Sequence, residues 1–363
     1  MNSIKRSHQQ MGLSLVELMV SIVIALLMTA AILQLFLDIT RSSDELARTN
    51  AQMENGRFAL QIMAEDVKHG GFWDGYVPQY DDLTSTSIPA HAQFAVPAPC
   101  LDYASWGIVY RENLLRIPLQ SYNAVPTGCS VITGKKADTD VLVVSHAETC
   151  VAGAAGCPAV DNSKVYFQTS FCGTNPSSAY DFTLATSGFT GQKRNCTAAA
   201  DKRRLVSNIY YIRDDNTLMR AEFGGGGGTA WSTQPLVDGV EGMVVELGID
   251  NVGDGGAVDY TKAVDFGTGS VKDTPEYRGD GAPDGAFVRC GSGCSAAQLI
   301  DVVAAKIFVL VRSLDATPGY SDTKTYTLGT TGTTLGPFND GFKRHVYSTT
   351  VRMNNVSARR ETP

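Results

Sequence analysis

A single carboxylate stands at the edge of a membrane-length apolar segment near the N-terminus. Glu17 is followed by twenty residues, Leu18 to Leu37, that carry no charge. In a helix such a run spans about 30 Å, which is the thickness of a hydrocarbon core. An ionised carboxylate in that environment is unfavourable unless a cation pairs with it. Glu17 is therefore predicted to have a cationic partner, and a plain signal anchor that carries an acid is the alternative.

Three aspartates form a second candidate site in the stretch GIDNVGDGGAVD. Asp250 and Asp254 occupy the first and fifth places of a calcium-binding loop, whose ligands are carboxylate and carbonyl oxygens. Asp259, Asp280 and Asp284 are further candidate ligands. Val252 and Thr261 stand where the third and twelfth ligands belong. Calcium binding is therefore one interpretation of this segment, and a solvated turn is the other, which the two departures favour.

Eight cysteines lie beyond the apolar segment, and their spacing does not form paired CxxC metal knuckles. An even number in a domain that follows a membrane segment favours disulfides in an oxidising compartment, and buried free thiols of a cytosolic protein are the alternative. Many pairings are possible, of which pairs between sequence neighbours are our first choice. The candidates are Cys100, Cys129, Cys150, Cys157, Cys172, Cys196, Cys290 and Cys294.

No pattern of side chains indicates an active site. The five histidines are scattered without an HExxH pair, and no GxSxG elbow is present. The run Gly224–Gly228 lacks the Lys-Ser/Thr of a phosphate-binding loop, so we expect a flexible tip there. The formal charge of −7 argues against a surface that coats nucleic acid. We therefore expect no catalysis and no cofactor, with calcium as the one candidate ion.

One long helix is predicted to carry Glu17. Lys5 and Arg6 lie in an acid-free N-terminal stretch, which predicts that this end stays cytoplasmic while the rest of the chain crosses the membrane. Neither Pro nor Gly interrupts residues 13–55, so the helix continues into water as an amphipathic segment until the pair Gly70–Gly71 ends it. Its apolar stripe is predicted to consist of Ile39, Leu46, Met53, Leu60, Met63 and Val67.

Beyond Gly71 the pattern changes from helical to strand-like. Since few helical segments follow, an antiparallel sheet packed on the amphipathic half of the helix is the economical arrangement. The segment IYYIRDDNTLMRAEF predicts a hairpin that turns at Asp214 to Asn216, and a short helix is expected within 296–305. The candidate strands are 107–110, 114–117, 141–145, 165–168, 209–213, 218–223, 242–248, 306–312 and 346–353.

Residues 12–17, GLSLVE, together with the apolar helix resemble the class III signal of type IV prepilins. The resemblance implies that a prepilin peptidase cuts between Gly12 and Leu13 on the cytoplasmic side. Leu13, where phenylalanine is the commoner residue, is then N-methylated. Glu17 becomes the fifth mature residue, and the resemblance implies that it pairs with the terminal amine of a neighbouring subunit to set the axial register. Pairing with the amine of its own chain is the alternative.

Two further stretches are similar to one family of minor pilins. QMENGRFALQIMAEDVKHGGFWDGY, residues 52–76, resembles the ENGRFAL…D…GY motif of PilW-like minor pilins, and RHVYSTTVRMN, residues 344–354, resembles the final strand of that family. DTDVLVVSHA and IYYIRDDNTLMRAEF look like its recurring strands. Within the motif, Gly56 is expected to allow close packing of the domain, and Arg57 to form an ion pair or a cap.

The resemblance implies an α+β fold of the type IV pilin kind. Residues 1–12 are expected to be a leader peptide, and residues 13–69 a long helix that spans the membrane at about 18–37. Residues 70–363 are expected to form a periplasmic or extracellular β-rich domain. In this arrangement the helix packs on an antiparallel β-sheet that has long disulfide-bearing loops.

The function implied by the resemblance is that of a minor pilin, a structural subunit that primes assembly of a type IV pilus and sits at its tip. The chain is expected in the inner membrane as a single-pass protein and, after assembly, in the pilus. Its expected partners are other minor and major pilins, the prepilin peptidase and the inner-membrane assembly platform. The alternatives are a minor pseudopilin of a type II secretion system, an adhesin or DNA-uptake receptor, for which nucleic acid would be a partner, and a membrane-anchored enzyme.

Overall fold

The computed structural model describes residues 14–84, 87–89, 94–173, 182–253, 255–266, 275–291, 293–330 and 332–361. The chain divides into two compact units, Met1–Ala51 and Gln52–Pro363. The boundary between the units lies inside the first helix, whose buried residues begin at Gln52. The helices are α1 (Leu15–His69), α2 (Ile108–Arg116), α3 (Ala296–Ile300) and α4 (Asn354–Arg360).

Every strand pair in the described residues is antiparallel. The strands are β1 (Leu119–Tyr122), β2 (Val141–Ala147), β3 (Tyr166–Thr169), β4 (Phe182–Ala185), β5 (Arg203–Ile212), β6 (Thr217–Phe223), β7 (Trp231–Asp238), β8 (Val240–Ile249), β9 (Val252–Gly253), β10 (Gly256–Ala257), β11 (Val302–Arg312), β12 (Tyr326–Leu328), β13 (Thr333–Leu335) and β14 (Arg344–Arg352). The larger sheet has the order β1-β2-β5-β3-β4, and β6 pairs with both β5 and β7. The smaller sheet has the order β14-β11-β8, and the pairs β9/β10 and β12/β13 stand alone. The predicted α+β class, a long N-terminal helix with antiparallel sheets, is confirmed.

The first unit contains the N-terminal part of α1. The described residues 14–37 are all exposed. By length and composition, α1 is the one helix among the described residues that could cross a membrane. The hydroxyls of Thr29 and Thr40 donate to the carbonyl oxygens of Ala25 and Phe36, one turn earlier, at 2.8 and 2.9 Å. These polar side chains are therefore satisfied within the helix, as a lipid environment requires.

The buried face of α1 in the second unit differs in part from the predicted stripe. The prediction is confirmed from Leu60 onward and is wrong at Met53, which is 37% exposed. Gln52 takes the inward position instead, and its amide donates to the carbonyl oxygens of Val311 at 2.6 Å and Lys343 at 3.1 Å. A polar residue can occupy a core position when its hydrogen bonds are satisfied, which apolar periodicity does not reveal. The buried residues are Gln52, Gly56, Ala59, Leu60, Met63 and Val67.

Gly56 is expected to destabilise the protein when it is replaced by alanine. A Cβ atom at this position would lie 2.6 Å from ring carbons of Tyr347 on β14, closer than packed atoms come. Alanine gains about 1 kcal/mol of helix propensity, whereas overpacking a core costs about 1–3 kcal/mol. We therefore expect Gly56→Ala to lower the thermal midpoint of the full-length chain, with the exposed Glu54→Ala as the control. A raised midpoint, as propensity alone predicts, would contradict this role of Gly56.

Two predicted strands, 107–110 and 114–117, are wrong, because this segment forms the helix α2. Leu114 and Leu115 are buried on it, and the indole Nε1 of Trp73 donates to the Leu115 carbonyl oxygen at 3.0 Å. Two short apolar runs separated by polar residues fit one amphipathic helix as well as two strands. Packing against Trp73, which is distant in sequence, decides between the two structures.

Several other local predictions are confirmed. α1 ends at His69, and Gly71 after it adopts a φ of 73°, the left-handed conformation that favours glycine. β5 and β6 form the predicted hairpin, in whose turn Asn216 has a φ of 66°. The short helix expected within 296–305 is α3, whose first turn is capped by the Ser295 hydroxyl.

Candidate functional site

Glu17, the predicted assembly group, lies in the first turn of α1. Its Oε2 accepts a hydrogen bond from the backbone N–H of Ser14 at 3.2 Å, and the side chain is exposed. This bond satisfies one of the N–H groups that a helix N-terminus leaves open. The predicted cleavage site, Gly12 and Leu13, lies outside the described residues. The pairing of Glu17 with a terminal amine therefore stays a prediction.

A partly buried carboxylate, that of Asp66, fastens α1 to the larger sheet. Asp66 accepts hydrogen bonds from His146 Nε2 at 2.9 Å, Asn208 Nδ2 at 2.9 Å and the Tyr210 hydroxyl at 3.0 Å. His146 Nδ1 also lies 2.8 Å from the Ala147 carbonyl oxygen, so both ring nitrogens face oxygen atoms. Burial, and then the charge of Asp66, raises the pKa of Tyr210 and keeps its hydroxyl a donor. Asp66 therefore fixes the position of α1 on β2 and β5.

An open cavity of about 610 Å³ lies beside Asp66, between α1 and the larger sheet. Phe58 and Ile62 of α1 form its apolar wall. On the rim, Glu222 pairs with Arg204 at 3.1 Å and with Arg220 at 3.3 Å. Arg204 also contacts Glu148 at 3.4 Å, so two arginines are balanced by two carboxylates.

The C-terminal helix α4 is anchored by a buried arginine. The side chain of Arg360 is 1% exposed and contacts three carboxylates, those of Asp81 at 2.9 Å, Asp301 at 3.1 Å and Asp250 at 3.3 Å. Its Nη2 also donates to the Ile300 carbonyl oxygen at 2.7 Å. Three segments that are far apart in sequence thus meet around one guanidinium group, which we call the Arg360 cluster.

The predicted calcium loop has other partners in its described part. Asp250 belongs to the Arg360 cluster and accepts two backbone N–H groups at 3.0 Å, so the cation beside it is a guanidinium. Asp259 accepts from the backbone N–H of Thr261 at 2.9 Å, as a turn residue does. Asp254 lies outside the described residues. Within those residues no group of three His, Cys, Asp or Glu side chains could hold a metal ion, and calcium binding stays a prediction.

Asp301 of the Arg360 cluster is expected to make the protein more stable as the pH falls toward 5. Burial raises the pKa of Asp301 to about 6, against the opposing attraction of Arg360, whereas an unfolded aspartate titrates near ~3.9. Between these values the folded chain binds a proton that the unfolded chain releases, so the free energy of unfolding rises as the pH falls through about 6. At pH ~5, roughly one unit below that pKa, the contribution is on the order of 1.4 kcal/mol.

Denaturant unfolding of the full-length chain at pH ~7.5 and ~5 measures this contribution. Asp301→Asn is expected to lose most of the gain in stability at the lower pH. The control is Asp259→Asn, because Asp259 is exposed and hydrogen bonds from Thr261 lower the pKa of its carboxyl below the tested range. Equal pH dependence in Asp301→Asn and in the unmodified chain would contradict the assignment.

A second buried arginine fixes the start of β14. Arg344 Nη2 donates to Glu241 at 3.1 Å, and its Nη1 contacts Asp322 at 2.9 Å and Asp340 at 2.6 Å. The guanidinium carbon lies 3.7 Å from the ring centroid of Phe338, a cation–π distance. Arg344 is the first residue of β14, and Arg360 is the last residue of α4. The segment between them is therefore held at both ends.

All eight cysteines are paired, as an oxidising compartment predicts. Each cysteine is bonded to its neighbour in sequence, so the preferred sequence-local pairing is confirmed. The four disulfides join Cys100 to Cys129, Cys150 to Cys157, Cys172 to Cys196 and Cys290 to Cys294.

Sequence reasoning did not assign the roles of Asp66, Arg344 and Arg360. Asp66 lies on the same helical face as Met63 and Ala59, so a carboxylate at an inward position was a usable signal. The two arginines gave no such signal, because their partners come from other segments. Arg57, expected to form an ion pair or a cap, is exposed and has no ion-pair partner within the described residues.

Comparison with known proteins supports the resemblance inferred from the sequence. Residues 209–355 match the family model described as Type IV Pilus-assembly protein W, a range that runs from β5 into α4. The resemblance to the PilW family is confirmed over this range. No curated protein matches the chain. Among solved structures, a type IV-like pilin from Thermus thermophilus is similar at 12% identity and a TM-score of 0.29, covering 66% of this chain and 82% of the pilin.

Proposed function

We propose that this chain is a minor pilin that helps to prime assembly of a type IV pilus and sits at the pilus tip. The observation that carries the proposal is the PilW family match over residues 209–355. The exposed apolar helix α1, which begins beside Glu17, is consistent with it, because a pilus subunit must first be held in a membrane. The protein acts as a structural subunit and not as an enzyme.

The proposed maturation of the chain has two stages, processing in the membrane and assembly into the pilus. In the first, α1 spans the inner membrane with the second unit in the periplasm, the peptidase cuts between Gly12 and Leu13, and Leu13 is N-methylated. In the second, Glu17 pairs with the terminal amine of a neighbouring subunit as the helices pack together. Removing the leader takes Lys5 and Arg6 from the chain, so the mature side chains carry a formal charge of −9 (−7 − 2).

The second unit is built to stay rigid outside the cytoplasm. Its four disulfides persist in an oxidising compartment. Asp66 holds the sheet to α1, and Arg344 and the Arg360 cluster hold the C-terminal segment. A rigid unit on a membrane helix suits a subunit that meets other minor and major pilins and the assembly platform.

Deleting the gene from piliated cells and complementing it tests this function. We expect the deletion to lower the number of surface pili at least tenfold, and the complementing chain to appear in the sheared pilus fraction. Unchanged pilus number together with a loss of type II secretion would identify a pseudopilin instead. Unchanged pilus number with a loss of attachment or DNA uptake would favour the adhesin or receptor alternative.

A further inference from the structure

The outer edge of β14 has backbone groups without partners. β14 pairs along one side only, with β11. The Met353 N–H donates to the Val303 carbonyl oxygen at 2.8 Å. In an antiparallel pair every second residue bonds to the partner strand, so the odd-numbered residues of β14 bond to β11. The N–H and C=O groups of Val346, Ser348 and Thr350 therefore point away from β11. In the part of the chain that the structure describes, these outward groups have no hydrogen-bond partner.

The middle of β14, between Arg344 and Arg352, lacks the features that usually protect an edge strand. Exposed edges are commonly guarded by Pro, charged side chains or a bulge. β7, another edge strand, has Pro235 among its outward-facing residues, where no N–H is available for a further strand. The nine residues of β14 contain neither Pro nor Lys and keep an unbroken register with β11. Ser348 and Thr350 are exposed, and threonine is a good strand former.

Packing on both faces holds this edge in place. Tyr347 packs on the α1 side, against Gly56. Val346 points to the opposite side and packs against a cluster that includes Leu310 and Leu328. Because β14 is already ordered, binding of a further strand does not include the entropic cost of ordering β14, which favours binding.

One positively charged side chain, that of Arg57, lies beside this edge. Arg57 of α1 lies near Tyr347. Burial raises the pKa of the Tyr347 hydroxyl, and the positive charge of Arg57 opposes this rise. Arg57 is exposed and has no ion-pair partner within the described residues. A strand that brings an acidic side chain to this position is complementary to it. A second copy of this chain would bring its own Arg57 toward the same edge, where like charges repel.

We propose that the outer edge of β14 binds an extended strand of a different pilus subunit, with an acidic residue facing Arg57. The added strand would extend the order β14-β11-β8 by one and pair with Val346, Ser348 and Thr350. This inference rests on the proposed function and names the surface through which the chain meets its neighbour.

Amide hydrogen exchange tests the pairing in the unmodified protein. The full-length chain is compared in detergent and in sheared pili. We expect the Ser348 and Thr350 amides to exchange at least tenfold more slowly in pili, while exposed loop amides keep their rates. Equal rates in the two states overturn the inference and leave the proposed function standing. If the chain is absent from pili altogether, the proposed function fails and the inference fails with it.

A matched pair of variants tests the same edge. Ser348→Pro removes one outward N–H and leaves the ladder to β11 intact, whereas Ser348→Ala keeps it. We expect Ser348→Pro to enter pili at least tenfold less than Ser348→Ala at equal membrane levels. Equal incorporation of the two folded variants overturns the inference. If Ser348→Pro does not accumulate, hydrogen exchange in the unmodified chain decides.

A photoreactive group on Thr350→Cys identifies the occupant. A cross-linked product with the mass of this chain plus a different pilus subunit, joined through an extended segment of that subunit, supports the inference. A product of twice the mass of this chain overturns it in favour of a second copy. Pili that contain the labelled chain without any cross-linked product overturn it as well.

Discussion

Full-length protein with Arg360→Met is expected to unfold with a free energy about 3–5 kcal/mol lower than that of the unmodified chain, because it loses one partner of a buried ionic group. Methionine keeps much of the side-chain volume but removes the cation that Asp81, Asp250 and Asp301 share. Three carboxylates would then lie close together without the guanidinium that they share. Arg359, which contacts Asp81 at 2.8 Å, would still pair with one of them. Denaturant unfolding at pH ~7.5 measures the loss.

Arg213→Met is the matched control for this prediction. Arg213 also pairs with a carboxylate, that of Asp215, but their side chains are 37% and 52% exposed. Solvent screens such a pair, so we expect the control to lose less than about 1 kcal/mol. A loss for Arg360→Met as small as that of the control would show that the Arg360 cluster does not hold α4 in place.

Glu17→Ala is expected to reduce the amount of this chain in sheared pili at least tenfold, with no change of its level in the membrane. The apolar segment that follows Glu17 still inserts, because alanine only makes it more apolar. Assembly loses the carboxylate that is proposed to pair with the terminal amine of the neighbouring subunit, an interaction that gains strength in a low dielectric. Quantitative immunoblots of pilus and membrane fractions measure both amounts.

Asp38→Ala serves as the control for Glu17, since it removes an exposed acid at the far end of the same apolar segment. We expect Asp38→Ala to enter pili at the unmodified level. Normal incorporation of Glu17→Ala would contradict the assembly role and would leave Glu17 with its local hydrogen bond to Ser14.

The features that local sequence could predict are those whose causes are local. α1 follows from a long uninterrupted pattern that ends at two glycines, and the β5–β6 hairpin from two strand-like runs around Asp214 to Asn216. Two of the disulfides join cysteines only 7 and 4 residues apart, so short loops suffice to join them. In each of these cases a few adjacent residues determine the structure.

The features that sequence could not predict depend on distant contacts. The short apolar runs of α2 fit two strands as well as one helix, and the contact with Trp73 decides for the helix. Gln52 is inward because carbonyl groups of Val311 and Lys343 meet its amide. Arg360 pairs with Asp81, which is 279 residues away in sequence, and no local sequence pattern predicts such a partner.

We propose that this chain is a prepilin that is processed and then assembled. The intact mass of the protein purified from its native membrane tests the processing directly. We predict a mass that lacks residues 1–12 and includes one additional methyl group, with Leu13 as the first residue. A mass that retains the uncut N-terminus would contradict the claim and would make α1 a plain membrane anchor.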